Sequence, residues 1–384
     1  MKFFYMLVLC LGINASLLKA SGDTENFALY KEVVQKIKEE SINPVDENKL
    51  MNGCLDGVIS AVDKSGNYYN EQEFEHLFST VTLTARLGMH IVQHEGHIVI
   101  KSVLSNSPAS KVGLKSGDEI LKIADKSLRH MDREDAIMAL KGYPNTKVKL
   151  SILKVGERRA SEVTLTRKVI DENKIVSKVL DNHLLYSKII TFDAETLKNI
   201  LDDIETLSRE PQEGIILDLR DNLGGILSSG LAVTSLFLPD ESVLINVKSR
   251  NKEDKKQYKN TPLDFEGSGF ERRIKKMKFL KTIPLVVLIN QDSMGSSEIV
   301  AAVLQEYNRA LIIGQPTFGK DTFATIFPLG NQKIAMKLAT ARWTTAKGKS
   351  IWPSGVVPNI EVDEGTDEED FALQMALTVL TKKQ

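Results

Sequence analysis

The stretch Val286-Val-Leu-Ile-Asn-Gln-Asp-Ser-Met-Gly-Ser-Ser-Glu298, with Thr317-Phe-Gly-Lys320 beyond it, decides how the second half of this chain is read. Val286 to Ile289 is a short apolar run of the kind that forms a fully buried strand. A polar turn follows, and a helix is expected from Ser296 or Ser297. Ile299, Val300, Val303 and Leu304 then recur at the spacings of one helical face. A strand–turn–helix junction sets a side chain at a helix N-terminus, where free N–H groups can stabilise an oxyanion.

Around this junction, residues 169 to 384 alternate strand and helix patterns, as an α/β core does. Leu197, Ile200, Leu201, Ile204 and Leu207 form a helical stripe. Gly214-Ile-Ile-Leu-Asp-Leu-Arg-Asp-Asn-Leu-Gly-Gly225 is a buried strand entering a glycine turn. Two glycines let backbone approach a ligand closely, and on spacing alone a plain strand-to-helix turn fits equally well. The dense Lys/Arg run from 248 to 281 reads as a solvated insertion, with a basic docking patch as the alternative. An acidic stretch, Asp363 to Asp370, precedes a final helix from Phe371 to Leu380.

Upstream, Ser107-Pro-Ala-Ser-Lys-Val-Gly-Leu-Lys-Ser-Gly-Asp-Glu-Ile-Leu-Lys-Ile123 predicts a one-turn helix, tight turns at Gly113 and Gly117, and a strand from Glu119. A helix at Arg133–Lys141 and a strand at Lys147–Leu153 follow. Residues 24 to 78 read as helices, with one stripe at Phe27, Tyr30, Val33, Val34 and Ile37 and another at Leu50, Cys54, Val58 and Val62. Asn43-Pro44 separates them. Lys2, the apolar run Phe3 to Leu18, and the small residues Ala20 to Gly22 predict a signal peptide over residues 1–20. An uncleaved anchor is the other reading, although sixteen residues interrupted by Asn14 are short for a span. Either way the protein is expected outside the cytoplasm, periplasmic or extracytoplasmic. With 42% hydrophobic and 26% charged residues the chain is an ordinary globular protein. Fifty basic residues against 51 acidic ones give no global reason to expect nucleic acid. Cys54 is alone once the N-terminal segment is removed, which excludes an internal disulfide.

Taken together, these motifs resemble the C-terminal processing peptidases, PDZ-containing serine peptidases of family S41 with a Ser–Lys pair. The resemblance implies a mixed α/β architecture: a helical segment at 21–81, a PDZ domain at 82–168 and a crotonase- or ClpP-like peptidase core at 169–384. Their nucleophile turn reads S-A-S-A-S-E-I. Aligned on Ser297-Glu298-Ile299, it puts the nucleophile on Gly295 and the general-base lysine, 25 residues on, at Lys320. Glu306 falls where relatives carry an acidic residue at the helix end. Ala324 stands where some carry a supporting glutamine, and Asp321 where glycine is common. Gly224 and Gly225 match the oxyanion turn of D-L-R-x-N-x-G-G, and Arg86-Leu-Gly-Met89 matches the loop that receives a peptide carboxylate. Ala341–Ile351 and Gly355–Pro358 resemble two further family segments. The family's D-P-H-S-x-Y signature survives at Asp63–Tyr68 only in its Asp and Tyr.

The attacking hydroxyl is therefore missing. Ser296 is the alternative nucleophile, but a one-residue step turns a helical side chain by about 100°, and serine at a helix start is commonly a cap. Ser297 and Ser293 are weaker candidates. Lys320 without the resemblance would be an ordinary surface or ion-paired lysine. A histidine triad in the core is excluded, since the last histidine is His183. His90, His94 and His97 read as surface residues of a hairpin rather than metal ligands, so neither metal nor cofactor is expected. The leading expectation is an exported homologue impaired in proteolysis that binds protein C-termini, with a lipoprotein or an active paralogue as further partner. An active Ser296–Lys320 peptidase is the competing one.

Overall fold

In the computed structural model of the protein, the run read as a buried strand is buried at every position. The structure describes residues 13–382 except 64, 72, 75–84, 104–106, 125, 130, 132, 143, 170–174, 209–211, 251–254, 262–269, 331–332 and 364–368, and without the side chains of 13–26, 133–135, 138 and 169. Leu285–Ile289 lies inside a six-stranded sheet, ordered Ile175–Leu180, Leu184–Ile189, Gly214–Asp218, Leu285–Ile289, Leu311–Gly314 and Ile360–Glu361. The first pair is antiparallel and the rest are parallel. Strand side chains alternate between faces, so a run without polar positions must be covered on both sides. Ile215, Leu217, Val287 and Ile289 pack under helices Thr196–Leu207, Leu227–Phe237 and Ser296–Glu306. Ile216, Val286 and Leu288 pack under Ala372, Ala376 and Leu380 of the last helix, Phe371–Thr381.

The region expected to be a PDZ domain has its own sheet and core. Strands run in the order Met89–His94, His97–Val103, Glu119–Ile123, Lys147–Leu153 and Ser161–Thr166, with Lys126–Ser127 at an edge. Ile98, Ile100, Ile120, Leu150 and Ile152 form its centre. Ser107 accepts the N–H of Ser110 at 3.1 Å and Pro108 opens the one-turn helix, which is why the Ser-Pro-Ala-Ser run folds as read.

By compactness the chain divides into two units, residues 1–79 with 326–338 and residues 80–325 with 339–384. In the first unit, helices Ile13–Glu40 and Glu47–Ser60 flank Asn43-Pro44, and Asp46 caps the second. The signal-peptide expectation lies outside the described residues as far as residue 12. No helix among the described residues is long and apolar enough to cross a membrane. Two findings depart from the reading of 24–78. Asn67–Tyr69 is a strand paired with Ala335–Lys337, a partner too distant in sequence to leave a local signal. The stripe bearing Phe27, Val33 and Ile37 is solvent-exposed in this chain rather than buried.

The D-L-R segment anchors the last helix. Asp218 is fully buried, accepts the hydroxyl of Tyr186 at 2.7 Å and binds the Arg220 guanidinium at 2.7 Å. Arg220 also makes a two-pronged pair, 2.8 Å on each arm, with Asp370, whose other role is to cap the helix through Leu373 N–H. Removing the cation leaves Asp218 buried without its counter-ion, which costs about 3–5 kcal/mol. Removing Asp370 leaves the Asp218–Arg220 pair intact and forfeits a cap worth about 1–2 kcal/mol. In urea titrations Arg220→Ala should therefore lose clearly more stability than Asp370→Ala. Equal losses would mean that the cap, not the buried charge, sets the cost.

Candidate active site

The turn after Ile289 is held by buried side chains. Ser293 Oγ accepts the N–H of Asn290 at 3.0 Å and donates to the carbonyl of Leu219 at 2.8 Å. The Asn222 carbonyl accepts both Met294 N–H and Ser297 Oγ, each at 2.9 Å. Gly295 follows with φ 58° and ψ −112°, and the helix begins at Ser296. L-residues avoid this conformation, and strained strand-to-helix elbows use it to present a nucleophile. A Cβ built on Gly295 meets nothing nearer than Gly224 Cα at 3.9 Å and Leu223 O at 4.0 Å. The elbow has room for a side chain and carries none.

Glu298 joins this elbow to the lysine loop. Its carboxylate is fully buried and accepts four hydrogen bonds: Gly295 N–H and Lys320 N–H on Oε2, both at 3.0 Å, and Thr317 Oγ1 and Gly319 N–H on Oε1, both at 2.6 Å. Two 3.0 Å bonds to one oxygen put the backbone nitrogens of Gly295 and Lys320 within about 6 Å of each other. Burial pushes the Glu298 carboxyl up from its ordinary value, against the opposing pull of the four donors. Trp343, itself buried, donates its indole N–H to the Lys320 carbonyl at 3.2 Å. The Thr317–Lys320 loop is thus fixed from both sides. The sequence motifs assign Glu298 no role of its own. Its position as third residue of a capped helix was the available signal.

Other expected residues separate from this pair. Glu306 ends the helix Ser296–Glu306, about 16 Å from Gly295 by helical rise. Its carboxylate accepts Thr345 Oγ1 at 2.6 Å and Lys347 N–H at 2.9 Å. It therefore braces a strand end and is not brought to the elbow. Asp321 is turned away, bound to Arg342 at 2.6 Å and to Ser350 at 3.1 Å. Ala324 is exposed on the strand Thr322–Leu329. Ser296 is buried, with its hydroxyl directed to the carbonyls of Gly225 and Ile226 at 3.3 and 3.4 Å. Ser297 is fully buried.

The glycine turn divides in two. Gly224 donates its N–H to Asn222 Oδ1 at 2.8 Å, and a Cβ there would stand 2.7 Å from the Met294 carbonyl. Gly225 has φ 141°, and a Cβ would fall 2.0 Å from the Phe192 carbonyl, so only glycine fits. The N–H groups of Gly225 and Ser296 donate to no acceptor among the described residues. Of the two glycines expected to serve an oxyanion, only Gly225 keeps its N–H uncommitted, and the N–H of Ser296 joins it.

The Arg86–Met89 loop, which the resemblance implies would receive a carboxylate, is held by its neighbours. Ser107 Oγ binds the Gly88 carbonyl at 3.2 Å and Ala109 N–H binds the Leu87 carbonyl at 2.9 Å. The N–H groups of Leu87 and Gly88 donate to nothing among the described residues. Arg86, Leu87, Gly88 and Met89 line a groove of about 100 Å3, whose other wall includes Ile137, Leu140, Asp221 and Leu223. Asp221 is bridged to Lys101 at 3.4 Å, to Lys188 at 3.2 Å and to Asn290 at 3.0 Å. Burial alone would raise its carboxyl, but the two ammonium groups outweigh that and hold it well below the usual range. Elsewhere in this domain His97 Nδ1 lies 2.5 Å from Glu119. Among the described residues no cluster of three His, Cys, Asp or Glu could hold a metal ion.

Glu298→Gln tests the clamp. An amide offers one acceptor oxygen, and its NH2 would face two of the four donors. We expect a loss of about 2–4 kcal/mol in denaturant titration and faster proteolytic nicking at 315–321. Unchanged stability and nicking would show that the loop is held without the carboxylate.

Comparisons with known proteins agree with this fold. The model of Peptidase family S41 matches residues 183–362, and that of the PDZ domain matches residues 79–153. The carboxy-terminal processing protease CtpA of Bacillus subtilis is 30% identical over 356 residues, 91% of this chain and 72% of its own. The carboxyl-terminal-processing protease of Synechocystis is 28% identical, covering 96% and 84%. In structure, the photosystem II D1 C-terminal processing protease superposes with a TM-score of 0.62 at 22% identity, over 88% of this chain and 89% of that one. The elbow, the lysine loop and the PDZ domain thus lie within a shared frame, and the chain belongs to the C-terminal processing proteases of peptidase family S41.

Proposed function

We propose that this protein is an exported C-terminal processing protease homologue that captures protein C-termini through its PDZ domain and is impaired in proteolysis. The observation that carries the reading is Gly295, an elbow in nucleophile-presenting geometry with space for a side chain and no hydroxyl. Covalent acyl transfer begins with attack by a side-chain oxygen whose proton passes to the lysine. The Lys320 backbone tied to the elbow through Glu298 and the uncommitted N–H groups of Gly225 and Ser296 support the rest of that constellation, whereas position 295 offers no attacking atom. A bound carbonyl can be oriented and polarised without being cleaved. The Ser296 alternative is disfavoured by its hydroxyl, which lies against the Gly225 and Ile226 carbonyls. Lys2 and the apolar run to Leu18 support export, with the N-terminal segment as a membrane tether if it is retained. A lipoprotein or an active paralogue is the natural presenter of C-termini in that compartment.

The protein should not react with a fluorophosphonate probe or fragment a denatured substrate. Labelling that disappears in Ser296→Ala would overturn the reading in favour of the shifted serine. Gly295→Ser should fold, at a cost of about 1–2 kcal/mol for a side chain at positive φ, and gain at most weak labelling that requires Lys320. Adding Ala324→Gln should speed single-turnover cleavage, since a well-oriented general base is worth about 10²–10⁴ in rate. If the single variant is as fast as the double, Ala324 is no defect.

The PDZ part of the proposal has its own test. Backbone N–H groups that receive a carboxylate discriminate against an amide. Peptides with a free apolar C-terminus should bind more tightly than their amidated forms by calorimetry. Equal affinity would show that the Arg86–Met89 loop does not read C-termini.

A further inference from the structure

The peptidase frame leaves the basic run unexplained. Residues 248–281 hold twelve basic and five acidic residues, leaving thirty-eight against forty-six in the rest of the chain. The excess is local, and its part from Phe270 to Lys281 is built on fixed structure. Met277 and Leu280 are buried, and the Arg309 guanidinium binds the carbonyls of Leu280 and Ile283 at 2.6 and 2.7 Å. The helix Phe270–Lys276 and the turn Lys278–Lys281 are therefore anchored by one face. Their other face presents Arg272, Lys275, Lys276 and Lys278 to solvent. Glu271 answers Lys275 and Asp240 answers Lys281, but among the described residues Arg272, Lys276 and Lys278 have no carboxylate within 4.0 Å. Phe279 stands among these cations 40% exposed. Beside it, Lys275, Lys278 and Lys281 border a recess of about 80 Å3 whose wall also carries Asp240, Glu271, Ser235 and Asn260.

We propose that this face docks on an anionic lipid surface, the lysines and Arg272 meeting headgroup phosphates and Phe279 reaching the acyl boundary. Charge complementarity requires an anionic partner. The exposed aromatic selects a membrane among anionic partners, because a phosphate layer over an apolar one matches cations beside a ring. A soluble polyanion would leave Phe279 unmatched. The proposal does not depend on whether the peptidase site is active.

Co-sedimentation of the full chain with vesicles tests it, using phosphatidylcholine alone and phosphatidylcholine with one-third phosphatidylglycerol. The N-terminal segment is the same in every arm, so differences report the basic face. We expect at least about tenfold tighter binding to the anionic vesicles, weakening with salt. Lys276→Glu with Lys278→Glu should abolish that preference, and Phe279→Ser should lower anionic binding severalfold, with thermal midpoints unchanged for all variants. Equal binding to both vesicle types, or full binding by the charge-reversed protein, would overturn the proposal. Capture on heparin without vesicle binding would also overturn it, assigning the face to a soluble polyanion.

Discussion

The buried carboxylate of Glu298 is the interaction on which the candidate site depends. It binds backbone N–H groups from two segments more than twenty residues apart, one at the elbow and one in the lysine loop. Taking a carboxylate out of water is costly unless its oxygens are well supplied with donors. Four short hydrogen bonds meet that need here, and none of them comes from a side-chain cation. The geometry is therefore written in backbone positions. Substitutions at Gly295, Asp321 or Ala324 can alter the chemistry while the loop stays in register with the elbow.

The elbow is likewise independent of the side chain at its apex. The elbow conformation is imposed by Ser293, Asn222 and Glu298, not by the residue at its apex. Any L-residue there carries strain of about 1–3 kcal/mol, which a peptidase tolerates because the reaction needs the exposed oxygen. Glycine removes both the oxygen and the strain. Glycine at this position is thus favourable to stability, and none of the surrounding hydrogen bonds requires a side chain there.

Much of the fold was legible because it rests on local pattern. The all-apolar strand before the elbow, the helix start at Ser296, the PDZ strand from Glu119 and the helix from Arg133 follow from periodicity and turn chemistry, and the structure keeps them. The strand Asn67–Tyr69 was not legible, since its partner is over two hundred and fifty residues away. At the site, alignment on Ser297-Glu298-Ile299 singled out Gly295, Lys320 and Glu306 together; Glu298 joins the backbone of the first two, while Glu306 lies apart. Eleven residues of helix carry Glu306 to the opposite end, a distance the alignment cannot express. The division of labour between Gly224 and Gly225 also needed coordinates, because it turns on which N–H the Asn222 side chain occupies.

The PDZ groove and the elbow are not separate features of the second unit. Asp221 and Leu223, from the turn that leads into Gly224, form part of the wall facing the carboxylate loop. Asp221 is itself held by Lys101 of the PDZ sheet and by Asn290 of the segment leading to the elbow. On the proposed reading, a C-terminus seated on Leu87 and Gly88 lies against the turn that once served the oxyanion. With no attacking atom, such a complex has no chemical exit and ends only by dissociation. Residence time, set by the groove and by the ion pairs around Asp221, then takes the place that turnover holds in an active peptidase.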